Sequence, residues 1–194
     1  SGGRMRDMRE NALGVLEEQG VDLVLTGHSH SYERSYLLDG HYDVSSTLLP
    51  KMKLDRGDGS EVGDGAYVKA TPGLAPHQGA VYVVAGSSGG IGGGSLDHPA
   101  HVVSLNELGS LAIDVDGRRL VASFVDAASV VRDRFTIEKG VQRWLLRDEP
   151  AIAVASGGVQ ALTLAAGTAH ANQDYVVAGS FGTTPGFVRN GHLV

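Results

Sequence analysis

The first regular pattern of hydrophobic positions along the chain is helical. Over residues 5–19 apolar side chains recur at close to helical spacing, and Gly20 follows as a stop signal. The pattern predicts an amphipathic helix that packs on a sheet. Its buried face is predicted to carry Met5, Met8, Ala12, Leu13 and Leu16, and its solvent face Glu10, Glu17 and Glu18.

Two short apolar runs predict buried strands that each lead into an unusual loop. Residues 21–26 (VDLVLT) run into Gly27-His28-Ser29-His30, and residues 80–85 (AVYVVA) run into the glycine-rich residues 86–95. Backbone N–H groups of the glycine-rich loop would form a floor for a phosphate or metal cluster. The alternative is a flexible connection whose glycines need positive φ.

Alternating patterns in the second half predict antiparallel strands. Residues 111–115 and 120–124 alternate on either side of an Asp116-Gly117 turn, and residues 130–137 predict a third strand. Between the two predicted buried strands, residues 38–79 are rich in Gly, Asp and Pro. This composition predicts a long loop that acts as a lid or is disordered.

A change in composition predicts two domains. Asp148-Glu149-Pro150 forms a plausible boundary between an α/β (α+β) domain over residues 1–140 and a β-rich module over residues 150–194. Strands are predicted in the module at residues 152–154, 159–164 and 175–178. It has about 45 residues, fewer than the ~100 of a complete β-sandwich, so we expect only the start of one.

Composition and charge restrict the function. A net charge of −6 and a pI near 5.7 argue against a nucleic-acid binder, and no apolar run approaches the roughly 20 residues of a membrane span. The chain has no cysteine, so any metal would need His, Asp, Glu, Asn or Tyr ligands.

His28 and His30 are the strongest candidate metal ligands. Neutral imidazole binds zinc, iron, copper and nickel, and these two follow a predicted strand at the end where α/β sheets gather ligands. The alternative is a pair of loop histidines satisfied by hydrogen bonds. A catalytic zinc takes three protein ligands, so the pair needs partners from elsewhere. His41, His77, His98 and His101 are expected to be ordinary exposed histidines, although each lies in a loop that could face a site.

Residues 21–35 (VDLVLTGHSHSYERS) resemble the final signature of the calcineurin-like metallophosphoesterases, in particular the purple acid phosphatases and their bacterial relatives. Residues 107–110 through 133–137 resemble the closing hairpins of the same catalytic domain. The family's earlier ligand signatures do not occur in this chain. The resemblance therefore implies the C-terminal half of a four-layer αββα sandwich, and we expect an N-terminal part of the same protein to supply the rest.

The resemblance also implies a chemistry. His28 would bind one ion and His30 the other ion of a two-metal centre, with iron paired with zinc or manganese. The intact protein would hydrolyse phosphate monoesters of small molecules, with a hydroxide formed from water on the metals as nucleophile, so no catalytic side chain is assigned. Relatives of this kind also imply a secreted or periplasmic location.

Three residues after the histidines have two interpretations. Arg34 would contact phosphate through its planar donor fork and Tyr32 would border the substrate, or Glu33 and Arg34 would brace the histidine loop. The same scaffold also carries phosphodiesterases and nucleotidases. A further alternative is a noncatalytic surface-binding module, suggested by the glycine-rich loops, the acidic composition and the β-rich end.

Overall fold

The computed structural model describes residues 4–141 and the short stretches 145–147, 162–164, 188–189 and 192–193. The described elements are one α-helix, fourteen strands and two 3₁₀ helices. In chain order they are α1 (Arg4–Glu18), β1 (Leu23–Thr26), β2 (Tyr32–Ser35), β3 (Leu37–Leu38), the 3₁₀ helices Ser45–Thr47 and Pro50–Met52, β4 (Lys53–Asp55), β5 (Tyr67–Lys69), β6 (Val81–Ala85), β7 (His101–Leu105), β8 (Gly109–Asp116), β9 (Arg119–Asp126), β10 (Val131–Lys139), β11 (Leu145–Arg147), β12 (Leu162–Leu164), β13 (Val188–Arg189) and β14 (His192–Leu193).

Two four-stranded mixed sheets form the body of the fold. The first has the order β1-β6-β2-β7, with β1 parallel to β6 and β2 antiparallel to both of its neighbours. The second has the order β5-β10-β9-β8, with β5 parallel to β10 and the remaining pairs antiparallel. The predicted hairpin is confirmed: β8 and β9 join through Gly117 at φ +58°, a conformation that glycine adopts without steric cost.

The two sheets share one core. Strand residues alternate between faces, and the inward ones of both sheets meet in a single buried cluster. The rings of Tyr32 and Phe124 stack across the interface with centroids 4.1 Å apart. The cluster consists of Tyr32, Leu37, Tyr67, Val81, Val83, Ala122, Phe124, Phe135 and Ile137. This arrangement is the mixed α/β architecture that we predicted, while the complete four-layer sandwich stays a prediction.

The helix has its predicted extent, and its faces agree with the prediction in part: Ala12, Leu13 and Leu16 are partly buried. Two positions differ. Met8 is 65% exposed, whereas Glu17, predicted to face solvent, is only 3% exposed. The carboxylate of Glu17 accepts hydrogen bonds from the hydroxyls of Tyr42 and Tyr82, each at 2.5 Å, and from the backbone N–H of Gly40 at 2.7 Å. Three donors satisfy the buried carboxylate, which explains why an acidic side chain lies inward.

Residues 38–79 also differ from the expectation of a lid or a disordered loop. They contain short strands and 3₁₀ helices, and Tyr67 on β5 is fully buried in the core. The ammonium of Lys69 is buried as well, and it donates to Asp22 at 2.5 Å and to the carbonyl of Gly79 at 2.8 Å. These contacts tie the segment to the beginning of β1.

Strand β1 is less buried than predicted. It lies at the edge of its sheet, and Leu25 is 51% exposed. On β8, the edge strand of the other sheet, Val115 is 68% exposed.

The proposed domain boundary at residues 148–150 and the predicted strands at 152–154 and 175–178 lie outside the described residues. Within the predicted strand at 159–164, Leu162–Leu164 forms β12 and pairs antiparallel with β11. The division into two domains therefore stays a prediction. In the part of the chain that the structure describes, no helix is long and apolar enough to cross a membrane.

Candidate metal centre

The two candidate ligands lie in the loop of residues 27–31, which joins the carboxyl end of β1 to β2. His28 and His30 are both exposed. Neither imidazole makes a hydrogen bond or ion pair with the described residues, so the hydrogen-bonded alternative finds no support there. Their ring nitrogens are open to a ligand.

The glycine-rich segment after β6 holds the backbone of this loop. The N–H of Gly86 donates to the carbonyl of Ser31 at 3.1 Å, and the N–H of Gly92 donates to the carbonyl of His30 at 3.0 Å. A Cβ built on Gly86 would lie 1.9 Å from the carbonyl oxygen of Ser29. Only glycine therefore allows this approach.

This geometry supports neither of the two interpretations of the glycine-rich segment at Gly86 and Gly92. Its glycines have no positive φ, so the need for a left-handed backbone is not the reason for their presence. The N–H groups of Gly86 and Gly92 bind carbonyls of the histidine loop, so these two donors do not form a floor for an anion. Gly86 packs closely against the candidate ligand loop, and Gly92 holds the loop by a backbone hydrogen bond.

Polar contacts lead from the histidine loop to His101 on β7. The hydroxyl of Ser31, which is fully buried, donates to Glu33 Oε1 at 2.5 Å and lies 3.2 Å from the hydroxyl of Ser29. The other carboxylate oxygen of Glu33 lies 3.1 Å from Nδ1 of His101, at an angle that makes no hydrogen bond. Glu33 thus connects the loop to the neighbouring strand.

Tyr32 and Arg34 lie on the opposite face of β2, inside the core. The hydroxyl of Tyr32 donates to Asp133 Oδ2 at 2.6 Å. The guanidinium of Arg34 holds both carboxylate oxygens of Asp133, with Nε 2.6 Å from Oδ2 and Nη2 2.9 Å from Oδ1. Arg34 Nη1 also donates to the hydroxyl of Tyr67 at 3.2 Å, and the guanidinium carbon lies 4.7 Å from the ring centroid of Phe135.

Electrostatics keep Tyr32 protonated and Arg34 charged. Burial raises the pKa of Tyr32, and the charge of Asp133 raises it further. Burial by itself lowers the pKa of Arg34, but its hydrogen bonds with Asp133 and the charge of that carboxylate outweigh burial, so the pKa is raised. Arg34 is 1% exposed and its donors are engaged within the core. This placement supports the bracing interpretation and does not bring Tyr32 or Arg34 to a substrate.

A group of three potential ligands lies elsewhere. Donor atoms of Glu17, Asp39 and His77 all lie within 4.8 Å of one another, and among the described residues no such group includes His28 or His30. The imidazole of His77 lies 3.1 Å from Asp39 and 2.9 Å from Glu18. The hydrogen bond with Asp39 raises the pKa of His77 most, and the hydrogen bond with Glu18 raises it further. Because Glu17 already accepts three hydrogen bonds, we assign this group a structural role.

Three other histidines cluster beside Glu33. The ring centroids of His98 and His101 lie 5.0 Å apart, and those of His41 and His98 lie 6.1 Å apart. His41 is only 9% exposed, and His98 and His101 are partly buried, so the expectation of ordinary exposed histidines is wrong for this cluster. Burial lowers the pKa of all three imidazoles. His77, in contrast, is exposed as expected.

Sequence reasoning missed Ser31, Gly86 and Asp133 as supports of the site. A signal for Asp133 existed: in the predicted strand it lies on the same face as Phe135 and Ile137, and a charged side chain on an apolar face needs a partner. No comparable signal identified Ser31, whereas the glycine-rich composition of residues 86–95 indicated a close backbone approach in the segment that contains Gly86.

No protein-family model matches the chain, and no curated protein sequence matches it. Among solved structures, the chain is similar to a purple acid phosphatase isolated from seeds of yellow lupin (Lupinus luteus). The identity is 17% and the TM-score 0.47, over 69% of this chain and 19% of the phosphatase. The chain thus spans only about a fifth of that protein's length, and a likeness at this level assigns neither a family nor an activity.

Proposed function

We propose that the chain carries the metal-ligand loop of a dinuclear metallophosphoesterase that hydrolyses phosphate monoesters. The observation that carries the proposal is the state of His28 and His30: two exposed imidazoles without partners among the described residues, at the carboxyl end of β1. The sequence Gly27-His28-Ser29-His30-Ser31-Tyr32-Glu33-Arg34 around them supports the same chemistry.

The donor set fits the first half of such a centre. In the proposal His28 binds one ion and His30 the other, with iron paired with zinc or manganese. When bound, two ions lower the pKa of water and offset the charge that develops on the phosphoryl oxygens. The remaining ligands come from outside the described residues, because no third potential ligand there accompanies either histidine. We propose that an N-terminal part of the same protein supplies them.

The chain's own contribution is to hold the two imidazoles in place. Gly86 and Gly92 fix the loop backbone, and Ser31 anchors it to Glu33. The pair of Arg34 and Asp133 fixes β2 directly behind the loop. Metal sites need ligands held to a fraction of an ångström, and such outer contacts provide that precision.

The proposal is tested on the natural protein that contains this chain. We expect bound iron, zinc or manganese by elemental analysis and metal-dependent hydrolysis of p-nitrophenyl phosphate. His28→Ala and His30→Ala should each lose metal and reduce the rate by about 100-fold or more, since changing a residue that only supports a ligand already costs roughly 10–100-fold. His77→Ala changes another exposed histidine and serves as the matched control. It should leave the metal content and the hydrolysis rate unchanged.

The same experiment distinguishes the alternatives. Faster turnover of bis(p-nitrophenyl) phosphate than of the monoester would replace our proposal by a phosphodiesterase on the same scaffold. A metal-free native protein without hydrolytic activity would favour the noncatalytic binding module. Unchanged hydrolysis in both histidine variants would overturn the assignment of His28 and His30 as ligands of the catalytic metals. A location outside the cytoplasm stays a prediction.

A further inference from the structure

A cavity of about 450 Å³ lies beside Tyr36, which follows directly after β2. Its wall includes Lys53 at the start of β4, and Leu48 and Leu49, which lie between the two 3₁₀ helices. Tyr36 is fixed there because its N–H donates to the carbonyl of Ala100 at 3.1 Å. The cavity has the volume of a small-molecule site, which spans ≈ 300–1,000 Å³.

The cavity carries positive charge in an acidic protein. The ammonium of Lys53 lies 3.8 Å from the ring centroid of Tyr36, and Arg56 also lines the wall. Lys53 is half-buried, and no carboxylate in the described part of the chain forms an ion pair with it. Burial and the neighbouring charge of Arg56 both lower the pKa of Lys53.

The rest of the wall is apolar. Leu48, Leu49 and Pro99 line the cavity together with the cations, and Leu49 is 47% exposed. An inorganic anion would leave these side chains in contact with water. A ligand with an anionic group and an apolar body would use both parts of the wall.

We propose that this cavity binds a small organic anion, with a phosphate or carboxylate group against Lys53 and an apolar or aromatic body against Leu48, Leu49 and Pro99. The ring of Tyr36 holds the Lys53 ammonium by a cation–π contact, which leaves its N–H donors free for the anion. The proposal is independent of the metallophosphoesterase function, because the cavity lies at the other end of β2 from His28 and His30.

The test is calorimetric titration of the full 194-residue chain with phenyl phosphate, benzoate and inorganic phosphate, in the presence of EDTA. We expect phenyl phosphate or benzoate to bind, with inorganic phosphate weaker by about tenfold or more. Lys53→Gln should weaken binding of the aromatic anion by about tenfold, and Lys53→Arg should restore it. Lys51→Gln removes an exposed lysine two residues away that does not line the cavity, and it should change nothing.

Several results would overturn the proposal. One is that neither phenyl phosphate nor benzoate binds. Another is that Lys53→Gln binds the aromatic anion as tightly as the parent chain does. A third is that phenyl phosphate and inorganic phosphate bind with equal affinity. Circular dichroism establishes whether each variant is folded. If Lys53→Gln does not fold, Lys53→Arg still tests the proposal, because it keeps the positive charge and should bind the aromatic anion. Binding that disappears in a His28→Ala/His30→Ala chain would assign the anion to the histidine loop and would overturn only this inference.

Discussion

Arg34 and Asp133 are 99 residues apart in the sequence, and their side chains form a bidentate ion pair between the two sheets. Arg34 lies on β2, which follows the histidine loop, and Asp133 lies on β10 of the second sheet. The side chains are 1% and 6% exposed. The position of the candidate ligand loop relative to the second sheet therefore depends on a buried charge pair.

Removing one partner of this pair should be strongly destabilising. Arg34→Met leaves the Asp133 carboxylate buried without its cation, and we expect a loss of about 3–5 kcal/mol in the free energy of unfolding. Arg34→Met combined with Asp133→Leu should recover most of that loss, because no charge then remains buried. Urea denaturation followed by circular dichroism measures both.

The control for this prediction is the exposed pair of Arg6 and Glu10, which has a similar distance of 2.6 Å. Arg6→Met should change the unfolding free energy much less than Arg34→Met, because water screens the exposed pair. Equal effects of Arg6→Met and Arg34→Met would show that burial of the core pair is not what makes it important.

Gly86→Ala should displace the histidine loop. The added methyl group would lie 1.9 Å from the carbonyl oxygen of Ser29 and 2.5 Å from that of Gly27, so the backbone must move. We expect a loss of about 1–3 kcal/mol in stability together with weaker metal binding. Gly89→Ala is the matched control, since a methyl group added there would meet no atom within 4 Å, and it should be neutral.

Ser31→Ala should affect metal affinity more than stability. The substitution removes the hydroxyl that donates to Glu33, which costs about 1 kcal/mol in unfolding free energy. Loss of the anchor should weaken metal binding of the natural protein about 10–100-fold, measured by competition with a chelating dye. Glu33→Gln keeps an acceptor for Ser31 and should retain affinity, whereas Glu33→Leu should behave like Ser31→Ala. Equal affinities for all of these variants would contradict a positioning role.

The histidine cluster predicts that the protein loses stability in mild acid. Burial lowers the pKa values of His41, His98 and His101 below the 6.5 of a free imidazole, so the unfolded chain binds more protons. Stability should therefore fall as the pH drops from about 7.5 through 6.5 towards the lowered values, and His41→Gln should reduce that fall. Urea midpoints at several pH values above about 5.5 measure it, since most carboxylates stay ionised there.

Other charges around the cluster define the controls. Arg9 lowers the pKa values of His41 and His98, while Asp43 acts in the opposite direction on His41, and Glu33 and Asp97 do so on His98. His77 has a raised pKa, so its contribution is present below pH 6.5 and is lost as the pH rises through the raised value. His77→Gln should therefore make the acid-induced loss steeper. A pH-independent midpoint in the parent chain would contradict the prediction.

Local patterns were enough to predict the helix Arg4–Glu18, the strand Val81–Ala85 and the hairpin of β8 and β9, because spacing and turn residues act over a few positions. They failed for Glu17, whose burial depends on hydroxyls from Tyr42 and Tyr82, 25 and 65 residues away. They also missed strand β2, because Glu33, Arg34 and Ser35 show no apolar alternation, although Arg34 and Ser35 are buried.

The sequence by itself determined that His28 and His30 follow a strand and share a loop with the chemistry of metal ligands. Only the tertiary structure decided what surrounds them: Gly86 beneath the loop, Glu33 bound to Ser31, and Arg34 engaged by Asp133 rather than open to a phosphate. The reason is physical. A residue's chemistry and its local period are properties of neighbouring positions, whereas burial, close backbone approach and charge pairing arise when distant segments meet.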